Sequence, residues 1–311
     1  MNTLYRLVAA MLSALAALLV FPATARDASP APDPVEVVRA PEAVEKLSPA
    51  LWKVADEDTT VYLFGTIHVL PEGVHWFDGE VAKAFHASDT LVTEIIEGDP
   101  AAMQGLVFQK AMLPEGESLR ALLSEDQKGA YEAALGEYKI PPALFDRFEP
   151  WYAAVGLSTL PLMQDGYNAD HGVEKTLDDH AKAGGTEHLA LETAEYQLDL
   201  FDALPVEVQT RYLGEVIEQM PTIRSQLGKM VEAWKVGDVD LLTSLMDAER
   251  SDPVLVKTLL TDRNANWAKW IEARMDEPGT VFVAVGAGHL AGEGSLQDQL
   301  AALDIASERL Q

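Results

Sequence analysis

Val61-Tyr62-Leu63-Phe64-Gly65-Thr66-Ile67-His68 and Val281-Phe282-Val283-Ala284-Val285-Gly286-Ala287-Gly288-His289 stand near opposite ends of the chain and share one design. Each is an apolar run that stops at a glycine, with a histidine three residues later. Runs that are apolar at nearly every position predict strands buried on both faces, as in a sheet covered by helices. Glycine at the stop lets the chain turn sharply and lets another backbone come close. A histidine just past the carboxyl end of such a strand sits where open α/β sheets place their ligands.

Two more segments follow the same plan with an acid in place of the histidine. Thr90-Leu91-Val92-Thr93 precedes Glu94, and His188-Leu189-Ala190-Leu191 precedes Glu192. Ahead of them, Leu51 to Ala55 and Thr59 to Phe64 predict a hairpin turned by Asp56-Glu57-Asp58. Elsewhere the pattern is helical. Ser124 and Gln127 form a capping box for a helix through Tyr138, closed by Pro141-Pro142. Amphipathic stretches cover 151–163, 170–183, 194–203, 206–220, 222–236, 239–247 and 253–275. The expected fold is α/β: a central, mostly parallel sheet flanked by helices in one domain over 51–311. A large helical insertion occupies about 100–185 and 194–275.

The first residues read as a targeting segment. Arg6 precedes an apolar run from Leu7 to Val20, and Ala23 and Ala25 suit a signal peptidase, so residues 1–25 are expected to be cleaved after Ala25. The run is short for a span, which needs about 20 residues, and no stable membrane span is expected after cleavage. Residues 26–50 carry prolines at 30, 32, 34, 41 and 49 and read as a proline-rich lead-in. The expected location is the periplasm or the outside of the cell. The chain has no cysteine, so disulfides and thiolate metal sites are excluded. A net charge of -27 repels phosphate backbones, which makes nucleic acid a poor partner.

If the strands are parallel neighbours, His68, Glu94, Glu192 and His289 meet at one rim. Two imidazoles and a carboxylate are a suitable ligand set for Zn, Mn, Co or Fe, with positions left for water. A second carboxylate can act as base on that water or hold a histidine ring. Taken from the residues alone, Glu94 and Glu192 are interchangeable between those roles. The bland alternative is two histidines that cap strand ends through hydrogen bonds. His75, His86, His171, His180 and His188 read as bystanders, since the nine positions between His171 and His180 are not a same-face spacing. A His-Glu-x-x-His helix, a Gly-x-Ser-x-Gly elbow, a phosphate loop and a dinucleotide fingerprint are all missing from the sequence.

The blocks Leu63 to His68, the Glu94 strand, Leu191-Glu192-Thr193 with Gln197, Arg263-Asn264 and Val285 to Leu290 resemble, in order, those of the TraB/PrgY/GumN family, over roughly residues 50 to 305. The resemblance implies an α/β core akin to those of erythromycin esterases and the haem-binding protein ChaN. It also implies a site of His68, Glu94 and His289 as metal ligands, with Mn or Co as in the Tiki branch of metal-dependent proteases. Arg263 is then a companion that stabilises an anion, and Glu192 an assisting base. Asp170 and Asn264 are minor candidates, Asp170 because it falls near a position usually acidic in the family. Without the resemblance, Arg263 would read as a surface ion pair with Asp262 or Glu249.

The leading expectation is an exported metal-dependent hydrolase acting on a peptide or protein. Metal-activated water would be held by His68, Glu94 and His289. A metal-free hydrolase would use the same residues, with a histidine as base oriented by Glu94. A non-catalytic protein that captures a peptide or a cofactor such as haem is the rival from a different class.

Overall fold

The computed structural model describes residues 47–163, 165–246 and 252–311. The expected signal peptide and most of the proline-rich lead-in lie outside the described residues.

Six strands form one mixed sheet in the order β4-β3-β5-β2-β1-β6. They are β1 (Leu51–Ala55), β2 (Thr59–Thr66), β3 (Thr90–Thr93), β4 (Glu187–Ala190), β5 (Gly279–Gly286) and β6 (Glu308–Arg309). The hairpin of β1 and β2 is antiparallel, and its turn is held by Asp56, whose carboxylate accepts from the amides of Asp58 and Thr59. β2 pairs in parallel with β5, β5 with β3, and β3 with β4. Four strands therefore end at one rim, while β1 and the short β6 close the far edge antiparallel.

Alternation along the strands feeds two separate cores. Val61, Leu63, Val92, Val281, Val283 and Val285 face one side of the sheet, where Trp267, Ile271, Leu296 and Leu300 cover them. Phe64, Leu91, Phe282 and Ala284 face the other, against Trp76, Phe85 and Trp234. Burial on both faces explains the unbroken apolar runs of β2 and β5. β4 departs from that expectation. It is an edge strand, half exposed, with Leu189 41% accessible, so its apolar run is covered on one side only.

The helices lie between the strands of the rim. α1 (Gly79–His86) joins β2 to β3. α2 (Pro100–Ala111), α3 (Glu125–Glu137), α4 (Pro150–Met163) and α5 (Val173–Gly184) lie between β3 and β4. The capping box expected at Ser124 and Gln127 is formed in both directions. α6 (Ala194–Asp202), α7 (Val206–Lys235), α8 (Val239–Leu245) and α9 (Asp262–Arg274) lie between β4 and β5, and α10 (Leu296–Ala301) follows β5.

Two helical expectations change. The stretches 206–220 and 222–236 form one helix, α7, which runs through Pro221. Proline forfeits a backbone hydrogen bond there, but Tyr212, Val216, Met220, Ile223, Leu227 and Met230 continue one buried stripe past it, and packing outweighs the local penalty. The stretch 253–275 breaks into a short turn at Pro253–Val256, a π turn at Lys257–Thr261 and then α9.

Candidate functional site

The parallel register delivers the expected residues to one end of the sheet. His68 follows β2, Glu94 follows β3, and His289 follows β5. Pairing continues past β3 and β4: the Leu191 amide donates to Thr93 and the Glu192 amide to Glu94, which sets the two acids side by side. Gly65 allows the outer loops to touch. A Cβ at Gly65 would lie 3.1 Å from the Ala287 backbone, so the first Gly-x-x-His loop rests on the second.

Arg263, in the first turn of α9, occupies the centre and is 2% exposed. Its Nε donates to both oxygens of Glu192, at 3.0 and 3.1 Å. Nη2 donates to Glu94 at 2.5 Å and to Glu192 at 2.8 Å. Nη1 reaches the Leu259 carbonyl and His289 Nε2, each at 3.2 Å. The Leu259 carbonyl belongs to the π turn, where i→i+5 bonding rearranges the backbone acceptors. A guanidinium has five N–H groups, and all five are engaged. Trp267, one turn on, donates from Nε1 to Glu192 at 2.9 Å and stacks its ring 4.7 Å from the guanidinium carbon. The two carboxylates raise the Arg263 pKa further against the opposing effect of burial. Of the two surface partners that sequence alone suggests, Asp262 pairs with Lys257 instead, and Glu249 lies outside the described residues.

Both oxygens of Glu94 are taken as well. Oε1 accepts from the Gly286 amide at 2.8 Å, and Oε2 accepts from Arg263 and from Gln197 at 3.1 Å. Gln197 gives its other amide hydrogen to Glu192 at 2.9 Å. The acid thereby bolts the end of β3 to the end of β5.

His289 is fully buried, and its tautomer follows from Asn264. Asn264 Nδ2 donates to the Gly294 carbonyl at 2.8 Å, which leaves Oδ1 as the acceptor facing His289 Nδ1 at 2.6 Å. His289 therefore carries its proton on Nδ1 and presents a lone pair on Nε2, where Arg263 donates. Glu94 Oε1 lies 3.9 Å from the same Nε2.

His68 is 5% exposed and forms an ion pair through Nδ1 with Glu174, which also accepts from Thr66 Oγ1. Glu174 lies in the first turn of α5 and was missed in the sequence, where an acid on a helix beside Lys175 looks like surface. Gly172 explains the close approach: a Cβ there would fall 2.2 Å from the His68 carbonyl oxygen. Burial lowers the His68 pKa, but the charge and hydrogen bond of Glu174, with a smaller contribution from Glu94, outweigh it and Arg263, and the net shift is upward. Glu174 moves the opposite way. Burial raises it, and the stronger pull of His68 and Thr66 brings it below its ordinary value.

Asp170 is not gathered into this cluster. It is exposed, accepts from Asn168, and lines a cavity of about 780 Å³ beside His75, His171 and His180. His188 bonds to Thr93 Oγ1 at 2.8 Å and lies 3.3 Å from Asp178.

The donor chemistry of His68, Glu94 and His289 suits a divalent cation, but the arrangement does not. Arg263, Gln197 and the Gly286 amide take three of the roughly four acceptor positions of the Glu94 carboxylate. Among the described residues, no group of three or more His, Asp or Glu is placed to hold an ion. As the side chains stand, the three do not fit a shared metal centre.

An α/β sheet whose parallel rim gathers two Gly-x-x-His loops around a buried Arg–Glu–Glu network defines the class of protein. This chain belongs to the TraB/PrgY/gumN family, whose sequence profile matches residues 50–309. It is 27% identical over 244 residues to "Uncharacterized protein YbaP" of Escherichia coli (strain K12), covering 77% of this chain and 87% of that protein. A protein of the same name from Shigella flexneri matches equally. An "Uncharacterized protein" of Treponema pallidum (strain Nichols) is 23% identical over 263 residues, covering 79% of this chain and 78% of its own. No solved structure matches. Among the described residues, no helix is long and apolar enough to cross a membrane.

Proposed function

We propose that this protein is an exported hydrolase of peptide bonds in which His68 moves the proton and Glu174 stands behind it. The observation that carries the reading is the ion pair of buried His68 with half-buried Glu174 at the carboxyl rim of the parallel strands. A carboxylate on Nδ1 fixes the imidazole tautomer and stabilises the imidazolium that forms when the ring takes a proton from water. The raised pKa fits a group that must hold that proton and then return it to the leaving amine. Arg263, with its donors consumed, positions rather than binds: it fixes Glu94, Glu192 and His289, and through them the two loops. Family membership and the order of the sequence blocks support a hydrolytic role, and the apolar run Leu7 to Val20 ending before Ala23 and Ala25 supports export to the periplasm or beyond.

The test is product formation. Purified protein is incubated with a defined mixture of peptides and followed by mass spectrometry. Time-dependent cleavage by wild type that falls about 100-fold or more in His68→Ala supports the reading. Tight peptide capture with no product would replace it with the non-catalytic alternative.

A second reading keeps a divalent metal, Mn, Co or Zn. One observation favours it: both histidines are tied through Nδ1 to an acceptor, the arrangement that metal-ligating histidines adopt. It requires Arg263 to release Glu94. Cleavage that survives chelation decides against it, and cleavage that needs added metal decides for it.

A further inference from the structure

The loop that leaves His68 does not stop at the rim. Residues 71–78 run on to form one wall of the cavity of about 780 Å³, within the range of about 300–1,000 Å³ that ligand sites occupy. A second cavity of about 300 Å³ lies alongside, with Val69 on its wall. Glu72 and His171 line both, so the two join into one groove. The groove is built on fixed parts. Trp76, 3% exposed, stacks on Phe64 of β2 with ring centroids 5.4 Å apart, and Phe77 stacks on His180 of α5 at 3.9 Å. The Leu70 and Asn168 backbones bond to each other in both directions and tie the two walls together. Asn168 also donates from Nδ2 to Asp170 and accepts from the Asp170 amide, which fixes that carboxylate on the wall.

Charge along this groove is one-sided. Glu72, Asp78 and Asp170 line it, the other ionisable side chains among its described residues are His75, His171 and His180, and Lys and Arg are absent from them. Among the described residues, no Lys or Arg forms a salt bridge with any of the three acids. Asp78 is engaged in the cap of α1, where it accepts from the Gly79 amide, so exposed Glu72 and Asp170 carry the charge open to a ligand. We infer that this groove binds a cationic peptide segment, with a lysine or arginine head set against Glu72 and Asp170 and its aliphatic stem along the aromatic wall. The inference names the substrate class for the hydrolase reading, and it rests on that reading for taking a peptide as the occupant. The loop 69–78 is the physical link, since it joins the groove directly to His68.

The experiment measures fluorescence anisotropy at pH 8 with a labelled lysine-containing peptide and with the same peptide acetylated on its lysines, which keeps the length and removes the charge. The proteins are wild type, Glu72→Gln/Asp170→Asn and Glu115→Gln/Glu137→Gln, whose exposed acids lie outside both cavities. Wild type is expected to bind the lysine peptide about 10-fold more tightly than the acetylated one, the gain of two partly exposed ion pairs. Glu72→Gln/Asp170→Asn loses most of that preference, and Glu115→Gln/Glu137→Gln keeps it. The last protein carries the same change in net charge, so it separates the groove from attraction by the acidic surface as a whole. Equal losses in the two double variants, or no preference in wild type, overturn the inference. If wild type cuts the peptide, the same ratios are read from kcat/KM. A lysine preference held by Glu72 and Asp170 with no product overturns the hydrolase reading alone. Cleavage indifferent to the lysine charge overturns this inference alone.

Discussion

Arg263 and Glu94 are 169 residues apart in sequence and 2.5 Å apart in the fold, with each side chain 3% exposed. Deleting one partner of such a pair strands the other as a buried, uncompensated charge. Arg263→Met, which keeps the volume and removes the charge, strands Glu94 and Glu192 together. In metal-free buffer it is expected to cost about 3–5 kcal/mol of unfolding free energy by urea titration. A loss under 1 kcal/mol, the size of a surface ion pair, would show that the network contributes little.

The His289 tautomer is a separate expectation. Nitrogen chemical shifts of the imidazole should place the proton on Nδ1 in wild type, because Asn264 Oδ1 is the only orientation its own donors leave open. Asn264→Leu removes that acceptor and strands a buried donor. It is expected to lower stability by about 1–3 kcal/mol and to mix the tautomers.

Glu174→Gln tests the dyad through pH. In wild type, Glu174 holds the His68 pKa above its ordinary 6.5, and the acid limb of kcat/KM should follow that raised value. The variant loses the charge, so the limb moves to lower pH while the maximal rate falls. Stability follows the same linkage. The His68 contribution is full below 6.5 and is lost as pH rises through the raised folded value. The Glu174 contribution is full above 4.5 and is lost as pH falls through the lowered folded value. The pair therefore stabilises the fold most between those two values. A limb unmoved by Glu174→Gln would disconnect the two residues.

Glu215, on α7, carries a different pH signature. Its Oε2 is buried and has no hydrogen-bond partner among the described residues. Burial, with Asp252 and Glu218 against a smaller opposing pull from Arg211, pushes its pKa up to about 7. The folded state thus binds this proton more tightly than the unfolded chain, and stability falls as pH rises from 4.5 toward 7. Glu215→Gln should raise Tm at pH 8 and leave it nearly unchanged at pH 4, measured by scanning calorimetry.

Gly172→Ala tests the loop beneath His68. With a Cβ 2.2 Å from the His68 carbonyl, either that loop or the entrance to α5 must move. The expected result is a clear loss of stability and a drop in activity larger than that of alanine at Gly129, where a Cβ meets nothing within 4 Å. Equal effects at the two glycines would contradict the contact.

Much of this was legible because strands announce themselves locally. The runs at β2, β3 and β5 need burial on both faces, and their periodicity says so. The glycine at 65 marks where another backbone approaches, and the register then places His68, Glu94, Glu192 and His289 together. What stayed hidden depends on long-range geometry. Glu174 looks like any helical acid until Gly172 brings α5 under His68. The saturation of Arg263 depends on a π turn that leaves no mark in the pattern of 253–275. Asp170 was drawn in by its place in the order of blocks, yet the turn from Asn168 to Gly172 leaves it outside the cluster, and Glu174 is the acid that reaches His68. The sequence reads 206–220 and 222–236 as two stretches because local rules do not see the buried stripe that carries α7 past Pro221.

The most direct test of the central claim is the rate of peptide cleavage by wild type and His68→Ala, both stripped of metal and assayed in chelator at pH 8. The account predicts turnover by wild type under those conditions and a loss of about 100-fold or more in the variant, with both proteins folded by circular dichroism. Cleavage that stops on chelation and returns with added metal, or that proceeds equally without the His68 imidazole, would contradict it.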